Sequence, residues 1–303
     1  MQEGSQKAII AAFFANIGIA AAKFVGFALT GASSMLAEAV HSVADSTNQG
    51  LLLLGGKRAR RGPDANHPFG HGRERYFWSF VVALVIFTLG SLFALAEGLE
   101  KLRHPHELES VPIGVGILLV AVGLESYSLR TAVRESRHTK GDQSWWSFIR
   151  RSKIPELPIV LLEDLGAEIG LTLALAGVGL AELTGNARFD AVGTMAIGVL
   201  LGVVAVILMV EMKGLLMGES ATPAMVDKIR TAMQSDPSVR AVIHLRTEHL
   251  GPEELLVAAK VEFDADLAFR QVADTIDRVE ASVRDAVPEA KLIYIEPDVC
   301  RPA

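Results

Sequence analysis

The stretch Glu38-Ala-Val-His41-Ser-Val-Ala-Asp45-Ser-Thr-Asn48-Gln49 places polar and ionisable side chains inside a segment that is otherwise rich in small and apolar residues. Positions 38, 41, 45 and 48 are separated by three, four and three residues, and this spacing aligns them along one face of an α-helix. Ionisable groups inside a bilayer are costly and usually serve a function. The stretch therefore predicts a transmembrane helix with a functional polar face.

His41 and Asp45 stand one helical turn apart on that face. An imidazole nitrogen and a carboxylate oxygen at this spacing can converge on one divalent cation, and both ligand types suit zinc, manganese, iron or cobalt. The alternative is a polar stripe that faces another helix and is satisfied by hydrogen bonds. Because the segment belongs to a membrane protein, we favour the metal site.

The rest of the chain predicts six transmembrane helices. Of the 303 residues, 50% are hydrophobic, and residues 76–96 and 191–210 contain no charged residue. Each of these two segments is long enough to cross a hydrocarbon core of about 30 Å at about 1.5 Å per residue. Weaker spans, interrupted by polar residues, are predicted at about 8–30, 33–56, 111–130 and 155–182.

Two charges within these spans have a structural interpretation. Lys23 interrupts the first span, and we expect its long side chain to snorkel to a headgroup, with an ion pair in the helix bundle as the alternative. Asp190 lies near the outer end of the last span. Asp190 is in the first turn of that helix, so we expect the positive N-terminal end of the helix dipole to stabilise its carboxylate, which is a structural role.

Basic residues predict the orientation. Lys and Arg number six between the second and third helices and seven between the fourth and fifth, against three in the remaining loops. Basic loops stay cytoplasmic, so we expect a multi-pass protein of the cell (inner) membrane with both termini inside. No removable signal peptide is predicted.

The net charge of −6 and an acidic tail make nucleic acid an unexpected partner. With Cys300 the single cysteine, a metal must be held by His and carboxylates.

The loop before the third helix carries a second candidate site. It reads Gly62-Pro-Asp64-Ala-Asn-His67-Pro-Phe-Gly-His71-Gly-Arg73-Glu74. Two histidines four apart, with Asp64 beside them, can bind a metal at the cytoplasmic entry. The alternative is a turn shaped by Gly and Pro whose histidines cap the third helix. Spacing alone does not decide between the two.

These two motifs together resemble the cation diffusion facilitator family. His-x-x-x-Asp in the second of six helices is a weak match, but the loop His67-Pro-Phe-Gly-His71-Gly-Arg73 is a specific one, and the resemblance extends over the whole chain. The family consists of homodimeric exporters that exchange a divalent metal, most often zinc, for protons. The resemblance implies a transport site made by pairs of residues four apart on the second and fifth helices.

The fifth helix holds three carboxylates, Glu163, Asp164 and Glu168. The family's aspartate usually stands six residues before a glycine, which selects Asp164 before Gly170, and a depth count places it level with His41 and Asp45. The partner position is then Val160, which is not a ligand. Either Glu163 or Glu168 is therefore expected to complete the site, as in a divergent branch with Glu-Asp here.

The tail predicts a separate cytoplasmic domain. We place the boundary between 1–216, the transmembrane domain, and 217–303, an αββαβ domain similar to the family's ferredoxin-like dimerisation domain. The resemblance puts Ile243, Lys260 and Tyr294 at the family's histidine positions, with Glu296 at its aspartate. A metal site of the family's type is therefore not expected there. Scattered ligands remain possible, namely His244, Glu248, His249 and Asp298.

The sequence thus predicts a proton-coupled exporter of a divalent transition metal acting by alternating access, with zinc as the leading substrate and manganese, iron or cobalt as the rival. We do not expect an enzyme, because no His-Glu-x-x-His or Gly-x-Ser-x-Gly motif accompanies the polar face. A membrane metal sensor remains as the alternative outside transport.

Overall fold

The computed structural model describes residues 3–105, 108 and 110–301. The extreme residues at both ends, for which the sequence predicts a cytoplasmic location, lie outside this range. The chain divides into two compact units. One comprises Met1–Gly56 and Phe77–Met212, and the other comprises Lys57–Tyr76 and Lys213–Ala303.

The first unit is helical, and the six predicted long helices are confirmed. They are α1 (Glu3–Thr30), α2 (Ser33–Ala59), α3 (Glu74–Val85), which continues through a π-helical turn at Ile86–Leu92 into α4 (Phe93–Arg103), α5 (Val111–Lys140), α7 (Glu156–Thr184) and α8 (Arg188–Met217). The short helix α6 (Trp145–Arg151) precedes α7.

By length and composition, three of the described helical segments are apolar enough to cross a membrane, namely Glu74–Arg103, Val111–Arg137 and Arg188–Met217. A shorter apolar stretch covers Asn16–Thr30. The helices α2 and α7, which carry the polar residues on which the candidate site depends, are not among these three segments. Most of those side chains are buried within the unit.

Lys23 corrects one prediction. Its side chain is completely buried, and its Nζ atom lies 3.1 Å from Glu38 Oε2 on α2. The prediction that Lys23 snorkels to a headgroup is therefore wrong. The ammonium group is instead paired inside the protein with a carboxylate of the adjacent helix.

Asp190 has a structural role, but its carboxylate acts on α2 rather than on its own helix α8, where we expected it to act. Its Oδ2 atom accepts hydrogen bonds from the backbone N–H of Ser33 at 2.9 Å and from the Ser33 hydroxyl at 3.0 Å, and its Oδ1 atom accepts from Ser34. Lys101 Nζ lies 3.7 Å away. The first N–H groups of a helix have no intrahelical partner, so the carboxylate at the start of α8 caps α2.

The second unit contains the tail. Its elements are α9 (Pro223–Gln234), β1 (Val239–Gly251), β2 (Glu254–Phe263), α10 (Phe269–Ala286) and β3 (Leu292–Pro297), in the predicted αββαβ order. Strand β2 is central, antiparallel to β1 and parallel to β3. Apolar side chains of α9, α10 and the sheet form one core that includes Ile229, Val257 and Val279.

The loop 57–76 packs with the tail, although the predicted boundary at 216 assigned it to the transmembrane domain. Arg73 forms an ion pair with Glu248, and Arg75 lies 3.8 Å from Glu253. A Cβ atom at Gly72 would lie 2.7 Å from the carbonyl oxygen of Leu250, so only glycine permits this approach of the two backbones. The docking depends on contacts between residues about 175 positions apart, which local sequence patterns do not report.

Candidate metal-binding sites

The helix site begins with two residues of α2. His41 and Asp45 have 1% and 8% of their surface exposed, and His41 Nδ1 lies 3.5 Å from Asp45 Oδ1. Their spacing of four residues puts both side chains on one face of the helix, as the sequence indicates. The two groups are therefore neighbours in a desolvated position.

Glu163 of α7 completes this cluster. Asn48, on the same face of α2, donates a hydrogen bond of 3.2 Å from Nδ2 to Glu163 Oε1. The side chains of Asp45 and Glu163 are neighbours across α2 and α7. Two neighbouring buried carboxyl groups share a proton or hold a cation between them. The two helices thus hold the pair ready to accept positive charge.

Several ligand atoms of this cluster are unsatisfied. Both ring nitrogens of His41, Oδ1 of Asp45 and Oδ1 of Asn48 are buried and have no hydrogen-bond partner within the described part of the chain. Buried polar atoms normally find partners, because an unmade hydrogen bond carries a desolvation penalty. An imidazole nitrogen, carboxylate oxygens and an amide oxygen form a donor set that fits a divalent cation.

Asp164 and Glu168, in contrast, contact α5. Asp164 Oδ2 accepts a hydrogen bond of 3.0 Å from Ser128, and Glu168 Oε1 accepts one of 2.9 Å from Ser126. Consecutive residues of a helix are rotated by about 100°, so Glu163 and Asp164 cannot share one face. Our register argument placed Asp164 beside Asp45, and the structure puts Glu163 there instead. Of the two candidates for completing the site, the geometry favours Glu163 over Glu168.

Asn48 is the fourth polar position of the α2 face, and the sequence predicts no role for it in the site. The signal was the spacing of three from Asp45, which continues the ligand face for one further turn toward Glu163.

The second candidate site lies in the loop before α3. Asp64 contacts both imidazoles, with 3.1 Å between Oδ2 and His71 Nε2 and 3.3 Å between Oδ1 and His67 Nδ1. In the described ranges, Asp64, His67 and His71 are the group of three His, Cys, Asp or Glu residues whose ligand atoms all lie within 4.8 Å of one another. The hydrogen bond from the His71 ring, followed by that from the backbone N–H of His67, lowers the pKa of Asp64 to about 2. Both rings thus contact one carboxylate, and the three side chains are close enough together to share a metal.

The tail positions are occupied by ion pairs. Lys260 Nζ lies 3.0 Å from Glu296 Oε1 and 3.2 Å from Asp298 Oδ2, and His244 Nε2 accepts a hydrogen bond from Arg246. Glu248 is paired with Arg73. A fixed ammonium group therefore stands beside Glu296, the carboxylate that the family resemblance places at its tail site, and also beside Asp298.

The architecture is that of a polytopic membrane protein with a buried cluster of candidate cation ligands between two of its helices. Comparison with known families is decisive about the class. Residues 9–217 match the cation efflux transmembrane domain, and residues 221–298 match the cytoplasmic domain of cation efflux proteins. The chain belongs to the cation efflux family.

Among similar proteins, the human proton-coupled zinc antiporter SLC30A9, mitochondrial, is 34% identical over 84% of this chain and 45% of that protein. Metal tolerance protein C4 of Arabidopsis thaliana is 30% identical over 91% of this chain and 61% of that protein. Magnetosome protein MamM of Magnetospirillum gryphiswaldense is 25% identical over 90% of this chain and 81% of that protein. The chain thus spans about half the length of the first of these relatives.

Proposed function

We propose that this chain is a secondary transporter that exports a divalent transition metal, with zinc as the first candidate, in exchange for protons. The observation that carries this proposal is the buried set of unsatisfied ligand atoms on His41, Asp45 and Asn48, opposite Glu163. Membership of the cation efflux family and similarity to a protein named a proton-coupled zinc antiporter support it.

Exchange of metal for protons follows from the chemistry of the ligands. The imidazole nitrogen of His41 binds a metal only when it carries no proton, and the carboxylates of Asp45 and Glu163 bind either a proton or the metal. Metal loading therefore releases protons, and protons arriving from the opposite side displace the metal. Alternating access around this buried site couples the two fluxes.

The ligand set bears on the choice of metal. One imidazole nitrogen with carboxylate and amide oxygens is rich in oxygen, and harder ions such as manganese or iron tolerate such a set better than a set with two histidines. We expect a broader selectivity than that of a site with His at position 160, where this chain has Val160. The Val160→His variant should shift the ratio of zinc to manganese flux toward zinc, and an unchanged ratio would contradict this expectation.

The remaining parts have supporting roles. Asp64, His67 and His71 form a capture site for metal at the cytoplasmic entry, in a protein of the inner membrane with both termini cytoplasmic.

The tail pairs two subunits without metal, because its strands provide an apolar surface while Lys260 neutralises the nearby carboxylates. Segment 217–303, which has its own core, should be dimeric in chelator. A segment that is monomeric until zinc is added would contradict this assignment.

The decisive experiment is transport in proteoliposomes of purified full-length protein. Zinc, manganese, iron and cobalt are supplied in turn, and internal metal and internal pH are recorded together. We expect zinc flux accompanied by an opposite proton flux. Metal binding without flux would instead favour a sensor, and flux without a pH change would remove proton coupling.

A further inference from the structure

The buried pair of Lys23 and Glu38 has no part in the exchange described above. Lys23 Nζ is 3.1 Å from Glu38 Oε2 and donates a hydrogen bond of 2.8 Å to Ser42 Oγ. Both charged side chains have no exposed surface. Desolvating two charges is expensive even when they are paired, and intramembrane ionisable residues usually mark a function. The pair therefore calls for a role beyond helix packing.

The position of the ammonium group relates it to the metal ligands. Its two partners on α2 interleave with the ligands, since Glu38 is three residues before His41 and Ser42 is three residues before Asp45. The charge of Lys23 acts electrostatically on both His41 and Asp45. A fixed positive charge next to a cation site opposes the arrival of another cation.

Glu38 would otherwise be a competent ligand. Its second oxygen, Oε1, is buried without a hydrogen-bond partner in the described ranges. That oxygen lies against α7, where a Cβ atom at Gly170 would be 2.5 Å from it. Glu38 is thus a carboxylate one turn from His41, directed at the helix that carries Glu163. Without Lys23, the cluster would contain one more uncompensated negative charge.

We propose that Lys23 sets the affinity of the transport site for its metal. Its ammonium group holds Glu38 out of the ligand set and lowers the affinity for divalent cations, so that the cargo is released rather than trapped. This inference rests on the proposed function, because it concerns the affinity of that same site.

The test is a charge cycle on the full-length protein. Lys23→Met removes the positive charge, Glu38→Gln removes the negative charge, and the double variant removes both with little change in volume. Zinc affinity is measured by calorimetry on purified protein in detergent at one pH, and half-saturation of flux is measured in proteoliposomes. We expect Lys23→Met to bind zinc at least about tenfold more tightly and to turn over more slowly, and Glu38→Gln to bind at least about tenfold more weakly. The double variant should return to within about threefold of wild type.

A merely structural role predicts something different. Both single variants would then lower the yield of folded protein in the same direction and leave the zinc affinity of the folded fraction unchanged. That result, or two affinity shifts of the same sign, overturns the proposal. If Lys23→Met does not fold, Glu38→Gln is compared with the double variant alone, and equal affinities overturn it. Loss of zinc binding and flux in wild-type protein would instead contradict the proposed function.

Discussion

The two His and Asp clusters of this chain differ in how they are built. In the loop, Asp64, His67 and His71 lie within eight positions of one another, and their ligand atoms already touch. In the helix site, His41 and Asp45 belong to α2, whereas Glu163 belongs to α7 and lies more than one hundred positions further along the chain. The loop cluster satisfies itself by hydrogen bonds, and the helix cluster leaves buried atoms unsatisfied.

This difference indicates a division of labour. An exposed cluster whose groups already stabilise one another gives up those contacts to bind a metal, and it exchanges ligands readily with water. A desolvated cluster with unsatisfied ligand atoms has fewer such contacts to lose, and its charge must be balanced by a proton or a metal. The loop site therefore suits capture, and the helix site suits coupled exchange.

The largest effect is expected from neutralising Glu163. Glu163→Gln should reduce zinc flux by more than the 10–100-fold that is typical of losing an outer-shell partner of a metal site, because the change removes a proposed direct ligand. The matched control is Asp164→Asn, the next residue, whose carboxylate accepts a hydrogen bond from Ser128. It should keep at least about a third of the flux. Zinc uptake by proteoliposomes with equal protein content measures both, and a reversed order of the two variants would restore Asp164 as the ligand.

A smaller effect is expected from the loop. Asp64→Asn should raise the zinc concentration for half-maximal flux by roughly tenfold and leave the maximal rate nearly unchanged, because it weakens capture alone. The control is Asp142→Asn in the linker before α6. Initial rates over a range of free zinc measure the two parameters. A fall in the maximal rate comparable to that of Glu163→Gln would end the distinction between the two clusters.

Docking of the loop on the tail should matter less again. Gly72→Ala introduces a Cβ atom 2.7 Å from the Leu250 carbonyl oxygen, so the loop must move away from β1. We expect a two- to fivefold rise in half-saturating zinc, on the scale of a 0.5–1 kcal/mol change at about 1.4 kcal/mol per factor of ten. Gly62→Ala is the control, because a Cβ atom at Gly62 meets nothing within 4 Å. Equal behaviour of the two variants would show that the loop binds metal independently of the tail.

The smallest effect concerns protonation of Asp64. Its pKa is about 2 against an ordinary 3.8, and the largest cause is the hydrogen bond from the His71 ring. Because the folded-state pKa is depressed, the charged carboxylate stabilises the loop above pH 3.8, and this stabilisation is lost as the pH falls through about 2. His71→Ala should move the pKa toward 3.8, measured by the carboxyl 13C shift of labelled aspartate assigned with Asp64→Asn. An unmoved midpoint would assign the depression to the backbone N–H groups.

What the sequence predicted depends on distance along the chain. The spacing of polar and apolar residues within short stretches of sequence could predict the six helices, the αββαβ tail, the α2 face and the loop cluster. The choice between Glu163 and Asp164 is a rotation of about 100° about the axis of α7, and only packing against α2 and α5 fixes it. The docking of Gly72 on Leu250 is equally remote from any local pattern.

Lys23 is an intermediate case. It lies seven residues before the end of α1 at Thr30, and Glu38 lies five residues after the start of α2 at Ser33. Measured from the turn that joins the two helices, these positions are about 10 Å and about 8 Å deep. A long lysine side chain bridges that difference, so counting depth within the hairpin would have predicted the pair.

The cap that Asp190 provides has a mechanical consequence. By holding Ser33 and Ser34 and lying beside Lys101, it fastens one end of α2 to α8 and α4. A rod fixed at one end moves least there and most at its far end. Asp45 stands twelve residues from Ser33, about 18 Å along the axis, so a tilt of about 10° around the fastened end displaces it by about 3 Å. That travel exceeds a metal–ligand bond of about 2 Å, and a modest swing of α2 is enough to assemble or dismantle the coordination shell.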